Sequence, residues 1–82
     1  MVDWNRFDAA EYDLEFNAEK LAAHGVNVHE AAELLWNGFI VRRNKHFKDR
    51  VQIIGRSDSG RAIKLIVLIK GKTLRVITGW PL

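Results

Sequence analysis

The sequence predicts an α+β fold in which two N-terminal helices pack on a four-stranded antiparallel β-meander. Two observations lead to this fold class. Apolar residues recur at helical spacing in the first half of the chain, and short alternating runs rich in β-branched residues occupy the second half. The 82 residues have the size of a single domain, with a helical part at about 8–38 and a sheet part at about 39–80.

The first half is expected to hold both helices. Asp8 has the character of an N-cap, Glu11 completes a capping pair, and Gly25 is placed to end the first helix. A break near residue 16 is the alternative. A second helix is expected over residues 27–37, where an asparagine cap precedes an acidic residue at the right spacing.

The second half is expected to form the meander. Apolar and polar residues alternate in most of its runs, and the residues between them favour tight turns, as in Ser57-Asp58-Ser59-Gly60 and Lys70-Gly71-Lys72. These patterns predict four strands, at residues 39–41, 50–55, 62–69 and 74–78.

Charge is divided between the two halves. Residues 1–40 hold eight acids and two bases, a net charge of −6, whereas residues 41–82 hold eleven bases and two acids, a net charge of +9. If the helices cover one face of the sheet, the acids lie on one side of the molecule and the bases on the other. A basic face attracts polyanions, and this favours RNA or an acidic protein as the partner.

Composition narrows the chemistry. The chain has no cysteine, and its three histidines show no metal-ligand spacing, so no metal and no cofactor are expected. The N-terminus lacks an apolar signal core, and the longest apolar run, residues 65–69, is too short to cross a membrane. A cytoplasmic protein without membrane contact is expected.

The segment 42–50 is the densest basic stretch, and it also carries a histidine and an aromatic residue. This mixture suits phosphate contacts combined with stacking of a base, although basic side chains also protect sheet edges from pairing. His46 is the candidate for proton transfer. The candidate nucleic-acid contacts in this stretch are Arg42, Arg43, Lys45, Phe47 and Lys48.

Further bases lie on or beside the predicted strands. Arg56, Arg61, Lys64 and Arg75 could hold a phosphodiester and stabilise the charge that develops during cleavage. The alternative is a solvated outer face of the sheet.

Several stretches, taken in order, resemble the BrnT-type toxins of bacterial toxin–antitoxin systems. The similarity spans residues 17–80. The stretches are Lys20-Leu21-Ala22-Ala23-His24-Gly25-Val26 followed by Glu30-Ala31, His46-Phe47-Lys48-Asp49-Arg50, Gly55-Arg56-Ser57 with Gly60-Arg61, and Leu74-Arg75-Val76-Ile77-Thr78.

The resemblance implies a RelE/ParE-like fold, cleavage of RNA and neutralisation by an antitoxin protein. It implies that Arg50 and Arg75 match arginines of the active-site face, and that His46 matches a recurrent position upstream. Trp80 stands where the family usually has an arginine, so it is the candidate for stacking on a base. The chain ends at Leu82, whereas the family continues into a C-terminal helix.

The function expected from these arguments is that of the toxin of a type II toxin–antitoxin system, acting as a metal-independent endoribonuclease. Its catalytic residues would be His46, Arg50 and Arg75, and its partners RNA and a cognate antitoxin. A non-catalytic module that binds nucleic acid or the antitoxin is the alternative. Homodimer formation through a sheet edge is also open.

Overall fold

A computed structural model of the protein describes residues 8–43 and 49–82. A short 3-10 helix at Ala9–Glu11 leads into the regular elements, which follow in chain order. They are β1 (Asp13–Phe16), α1 (Ala18–Ala23), α2 (Val28–Trp36), β2 (Phe39–Arg43), β3 (Arg50–Arg56), β4 (Ala62–Lys70) and β5 (Thr73–Pro81).

The five strands form one mixed sheet in the order β1-β5-β4-β3-β2. Strands β2 to β5 are antiparallel neighbours, whereas β1 pairs with β5 in parallel. The predicted fold of two helices on a four-stranded antiparallel meander is therefore wrong. The sheet has a fifth strand, and the parallel pair makes it mixed.

The error lies in residues 13–16, which fall inside the range assigned to the helical part. Asp13 and Glu15 are exposed, whereas Leu14 and Phe16 pack against the core, so side chains alternate as in a half-buried strand. Leu14 also fits the apolar spacing of the predicted first helix. The pairing with β5 favours the strand over the helix, because it provides hydrogen-bond partners for the backbone of this short segment.

Helix α1 therefore starts late and is only six residues long. The Asn17 side chain caps it by accepting a hydrogen bond from the backbone N–H of Lys20 at 3.1 Å. The predicted start of the second helix at Asn27 is confirmed by a complete capping box. The Asn27 side chain accepts from the N–H of Glu30 at 2.8 Å, and the Glu30 carboxylate accepts from the N–H of Asn27 at 3.3 Å.

Both helices pack on the same face of the sheet. Leu21 of α1 and Leu34 of α2 are fully buried, and each lies against a strand glycine. A Cβ added to Gly79 would lie 3.2 Å from Leu21 Cδ2, and one added to Gly55 would lie 3.0 Å from Leu34 Cγ. The strand side chains buried beneath the helices are Ile53, Ile63, Leu65, Val67, Leu74 and Val76.

None of the helices in the described ranges has the length and apolar character that a membrane span requires.

Candidate functional site on the open face of the sheet

The sheet face opposite α1 and α2 is covered by no helix in residues 8–43 and 49–82, and we call it the open face. Side chains alternate between the two faces of a strand, so the buried set beneath the helices fixes which residues point the other way. The cross-strand registers then place them in rows. The open face carries Asp13, Glu15, Ile40, Arg42, Arg50, Gln52, Ile54, Arg56, Lys64, Ile66, Leu68, Lys70, Thr73, Arg75, Thr78 and Trp80.

The charges on the open face are mostly positive. Six bases lie on it against two acids, Asp13 and Glu15, both of which belong to the edge strand β1. The two helices hold three acids and one base, Lys20. Among the described residues the open face thus carries an excess of four positive charges, whereas α1 and α2 together carry an excess of two negative charges.

The first row across the open face brings two arginines to either side of a leucine. Arg50 is in register with Leu68, Leu68 with Arg75, and Arg75 with Glu15 on β1. Two strand spacings separate the arginines, so their Cα atoms lie about 10 Å apart. Arg75 is exposed, whereas Arg50 is half-buried with its Nε atom inaccessible to solvent. Two guanidinium groups therefore flank one apolar position, and an acid closes the row.

Two further rows combine polar and apolar residues. Arg42, Gln52, Ile66 and Thr78 are consecutive cross-strand partners, and so are Ile40, Ile54, Lys64 and Trp80. The centre of the open face is thus apolar, with arginine or lysine in every row.

A β-bulge in β5 makes this arrangement possible. Ile66 pairs with Thr78 and Val67 with Val76, so Ile77 is an extra residue in β5. Because of this extra residue, Arg75 and Thr78 both point to the open face although they are three positions apart. Without the bulge, position 80 would face the helices and position 79 would face the open side of the sheet.

Trp80 has two neighbours that sequence reasoning did not place beside it. The Lys64 Nζ atom lies 5.9 Å from the centroid of the Trp80 ring, a cation–π contact. The His24 ring approaches the tryptophan edge to face, with the ring centroids 6.0 Å apart. The register could have indicated Lys64. His24 caps α1 on the helical side, so the Trp80 ring lies at the rim of the open face, where β5 extends beyond β1, and no local signal predicts this contact.

Two of the predicted nucleic-acid contacts are engaged in holding the fold. Arg61 Nη1 donates to the Gly25 carbonyl at 2.9 Å and to both Glu30 carboxylate oxygens, at 3.0 and 3.1 Å. This joins the turn after α1, the first turn of α2 and the start of β4. Arg56 Nη1 donates to the Gly60 carbonyl at 2.7 Å and so braces the turn between β3 and β4.

The remaining predicted residues divide into two groups. Arg43 is exposed and, by alternation, points away from the open face, whereas Arg42 lies on it. Lys45, His46, Phe47 and Lys48 lie outside the described residues. Within the described ranges, no three His, Cys, Asp or Glu side chains form a group that could hold a metal ion.

No known protein family, no curated protein and no solved structure matches this chain. The resemblance to BrnT-type toxins therefore stays a prediction, and the functional argument depends on the geometry of the open face.

Proposed function

We propose that the protein is a toxin-type RNA-binding domain that holds single-stranded RNA on its open face and cleaves it there. One observation carries the proposal: six bases share the face of the sheet that no described helix covers, while the acids of α1 and α2 lie on the other side. A polyanion is attracted to the net positive charge of the open face.

The layout of the open face suits a single strand better than a duplex. Four bases, Arg42, Arg50, Lys64 and Arg75, would contact successive phosphates of the backbone. The half-buried apolar residues of the open face, Ile54 and Leu68, would meet the faces of unstacked bases and the sugars between those phosphates. A duplex hides its base faces and would leave this apolar surface unused.

Arg50 and Arg75 are the proposed cleavage residues because they flank one position in the first row. In the proposed reaction an RNA 2′-hydroxyl attacks the adjacent phosphorus, the bond from phosphorus to the 5′-oxygen breaks, and a 2′,3′-cyclic phosphate and a 5′-hydroxyl result. The two guanidinium groups would stabilise the negative charge that develops on the phosphate oxygens. His46, which is outside the described residues, would accept the 2′-hydroxyl proton, and the leaving 5′-oxygen would take a proton from water.

The proposal includes the cellular setting that the toxin hypothesis implies. The protein would act in the cytoplasm, where its RNA substrate occurs. A cognate antitoxin would neutralise it by covering the basic surface with acidic residues, so that RNA and antitoxin compete.

A second function, binding without cleavage, is favoured by Trp80. This residue stands where BrnT-type toxins usually have an arginine, and its ring contacts Lys64. A tryptophan can stack on a base, but it cannot neutralise a phosphate. The open face could then bind RNA, or an acidic antitoxin segment, without turnover.

The test is to incubate the purified protein with an end-labelled, uridine-rich 20-nucleotide RNA and to compare Arg75→Ala with Lys20→Ala. Each variant removes one exposed base, but only Arg75 lies on the open face. We expect Arg75→Ala to slow cleavage about 100-fold, because a charge-stabilising group is lost, and Lys20→Ala to cleave like the parent protein. Salt-dependent binding without cleavage would support the second function. The absence of RNA binding at low salt would contradict cleavage and also the RNA-binding version of the second function.

A further inference from the structure

We infer that the outer edge of β2 is a protein-binding site that adds an extended partner segment as a further strand. The segment we specify carries an apolar residue opposite Ile40 and an acidic residue opposite Arg42. This inference concerns a protein partner and is independent of whether the open face binds RNA.

One edge of β2 faces no other strand in residues 8–43 and 49–82. β2 is the last strand in the sheet order and pairs with β3 alone among the described strands. Every second residue of such a strand directs its N–H and C=O groups away from the sheet. Unpaired edges of this kind form main-chain hydrogen bonds with extended segments.

The first half of β2 lacks the charged side chains that usually protect an edge strand. Ile40 is 61% exposed, although exposed edge positions commonly carry charge. Trp36, which is 58% exposed, ends α2 three residues before β2, so its Cα lies within about 11 Å of the start of the strand. Two large apolar side chains are therefore exposed where the edge begins. Arg42 and Arg43 are exposed where it ends.

The opposite edge of the sheet shows which sequence fits. There β1, with the sequence Asp13-Leu14-Glu15-Phe16, pairs with β5. Its acids lie on the open face, with Glu15 in register with Arg75, and its apolar residues pack against the core. An alternating acidic and apolar strand thus already extends this sheet beside an arginine.

The side chains of β2 specify the sequence of a complementary strand in the same way. Ile40 and Arg42 are two residues apart on the open face, and Val41 between them packs against the core from the other side. A complementary strand needs an apolar residue opposite Ile40, an acid opposite Arg42 and an apolar residue between them. A second copy of this chain fits less well, because antiparallel pairing of two β2 edges about Val41 places Arg42 of each copy opposite Ile40 of the other, with no acid for it to pair with.

The test uses two fluorescein-labelled peptides, with the cores Glu-Val-Ile-Val-Glu and Lys-Val-Ile-Val-Lys. The acid on each side of the central isoleucine allows parallel or antiparallel pairing. We expect the acidic peptide to bind the full chain at least tenfold more tightly than the basic one, and to slow hydrogen exchange of amides in residues 39–43. Ile40→Lys should weaken the acidic peptide at least tenfold. Arg42→Glu should reverse the preference, whereas Lys20→Glu, with the same change in net charge, should not.

Several results would overturn the inference. Equal affinity for the two peptides, or an unchanged preference in Arg42→Glu, would show that no charged pairing occurs at this edge. If the amides of residues 39–43 already exchange slowly in the free protein, another segment occupies the edge. If only RNA, and not the acidic peptide, slows their exchange, RNA is the occupant. A dimer that Ile40→Lys dissociates would identify that occupant as a second copy. RNA binding by Ile40→Lys is measured in parallel. If this variant loses the peptide but still binds RNA, the β2 edge is disrupted while the open face is intact.

Discussion

The salt dependence of RNA binding reports how many bases of the open face contact phosphates. If Arg42, Arg50, Lys64 and Arg75 each contact one phosphate, four phosphates are neutralised, and about 0.7 counterion is released from the RNA for each. For single strands, the logarithm of the association constant then falls with the logarithm of salt concentration with a slope of about −2.8. Raising the salt from 50 to 200 mM should weaken binding about 50-fold.

Replacing Arg75 by glutamine removes one of these contacts and preserves a polar side chain. The slope should become about −2.1, and the same increase in salt should weaken binding only about 20-fold. Lys20→Gln is the matched control, because it also removes one exposed base but lies on α1. Its slope should equal that of the parent protein.

The assay is fluorescence anisotropy of a labelled 12-nucleotide uridine RNA, titrated with each protein at four or more salt concentrations. The slopes, rather than the affinities at one condition, are compared. The reasoning is refuted if Arg75→Gln has the slope of the parent protein. It is equally refuted if Lys20→Gln lowers the slope by the same amount, because the attraction would then depend on net charge alone.

Three further substitutions test neighbouring parts of the structure. Glu15→Gln removes the acid in register with Arg75, so RNA affinity should rise about two- to fivefold in the same anisotropy assay. Gly79→Ala places a Cβ 2.6 Å from Leu65 Cδ2 and 2.8 Å from a backbone carbonyl, so the free energy of unfolding in urea should fall by about 3 kcal/mol. Arg61→Gln breaks the tie between α2 and β4 at a partly exposed site, so unfolding free energy should fall by about 1–2 kcal/mol while RNA affinity stays within twofold.

Each of these expectations has a contrary result. Unchanged or weaker RNA binding by Glu15→Gln would place the RNA away from the β1 end of the first row. A loss below about 0.5 kcal/mol in Gly79→Ala would mean that β4 and β5 are not packed as closely as described. A large loss of RNA affinity in Arg61→Gln, with the free energy of unfolding unchanged, would show that Arg61 contacts RNA and does not stabilise the fold.

The antiparallel strands β2 to β5 could be predicted from the sequence, because each of them has a local pattern of apolar residues. Turn chemistry separates the strands, and Gly60 and Gly71 adopt positive φ in the turns predicted for them. The strands extend further than expected, to residue 43 in β2 and to residue 81 in β5. Their pairing, which no local pattern records, supports these additional residues.

Strand β1 could not be predicted from the sequence, because its four residues fit both the helical and the strand spacing of apolar residues. Leu14 belongs to a helical stripe and also to a strand alternation with Phe16, and a segment this short does not decide between them. What decides is a parallel pairing with Thr73–Val76, about sixty residues later in the chain. The wrong fold class follows from this single non-local contact.

The candidate site was predictable in charge but not in geometry. The sequence indicated that bases and acids would occupy opposite sides, and the described residues have that arrangement only in part, since Asp13 and Glu15 lie on the open face and Arg43 points away from it. It did not indicate that Arg61 is held by Glu30, or that the bulge at Ile77 turns Trp80 to the open face. Both depend on packing between elements, and both change which residues can meet RNA.

Isoleucines on the two faces of the sheet allow the central claim to be measured directly. Ile54, which is half-buried, and Ile66, which is 8% exposed, lie on the open face, whereas Ile53 and Ile63 are fully buried beneath the helices. We propose titrating methyl-labelled protein with a short single-stranded RNA and following the isoleucine methyl signals. The account predicts that the methyls of Ile54 and Ile66 shift while those of Ile53 and Ile63 do not. Shifts of signals from α1 and α2, with the methyls of Ile54 and Ile66 unmoved, would contradict it.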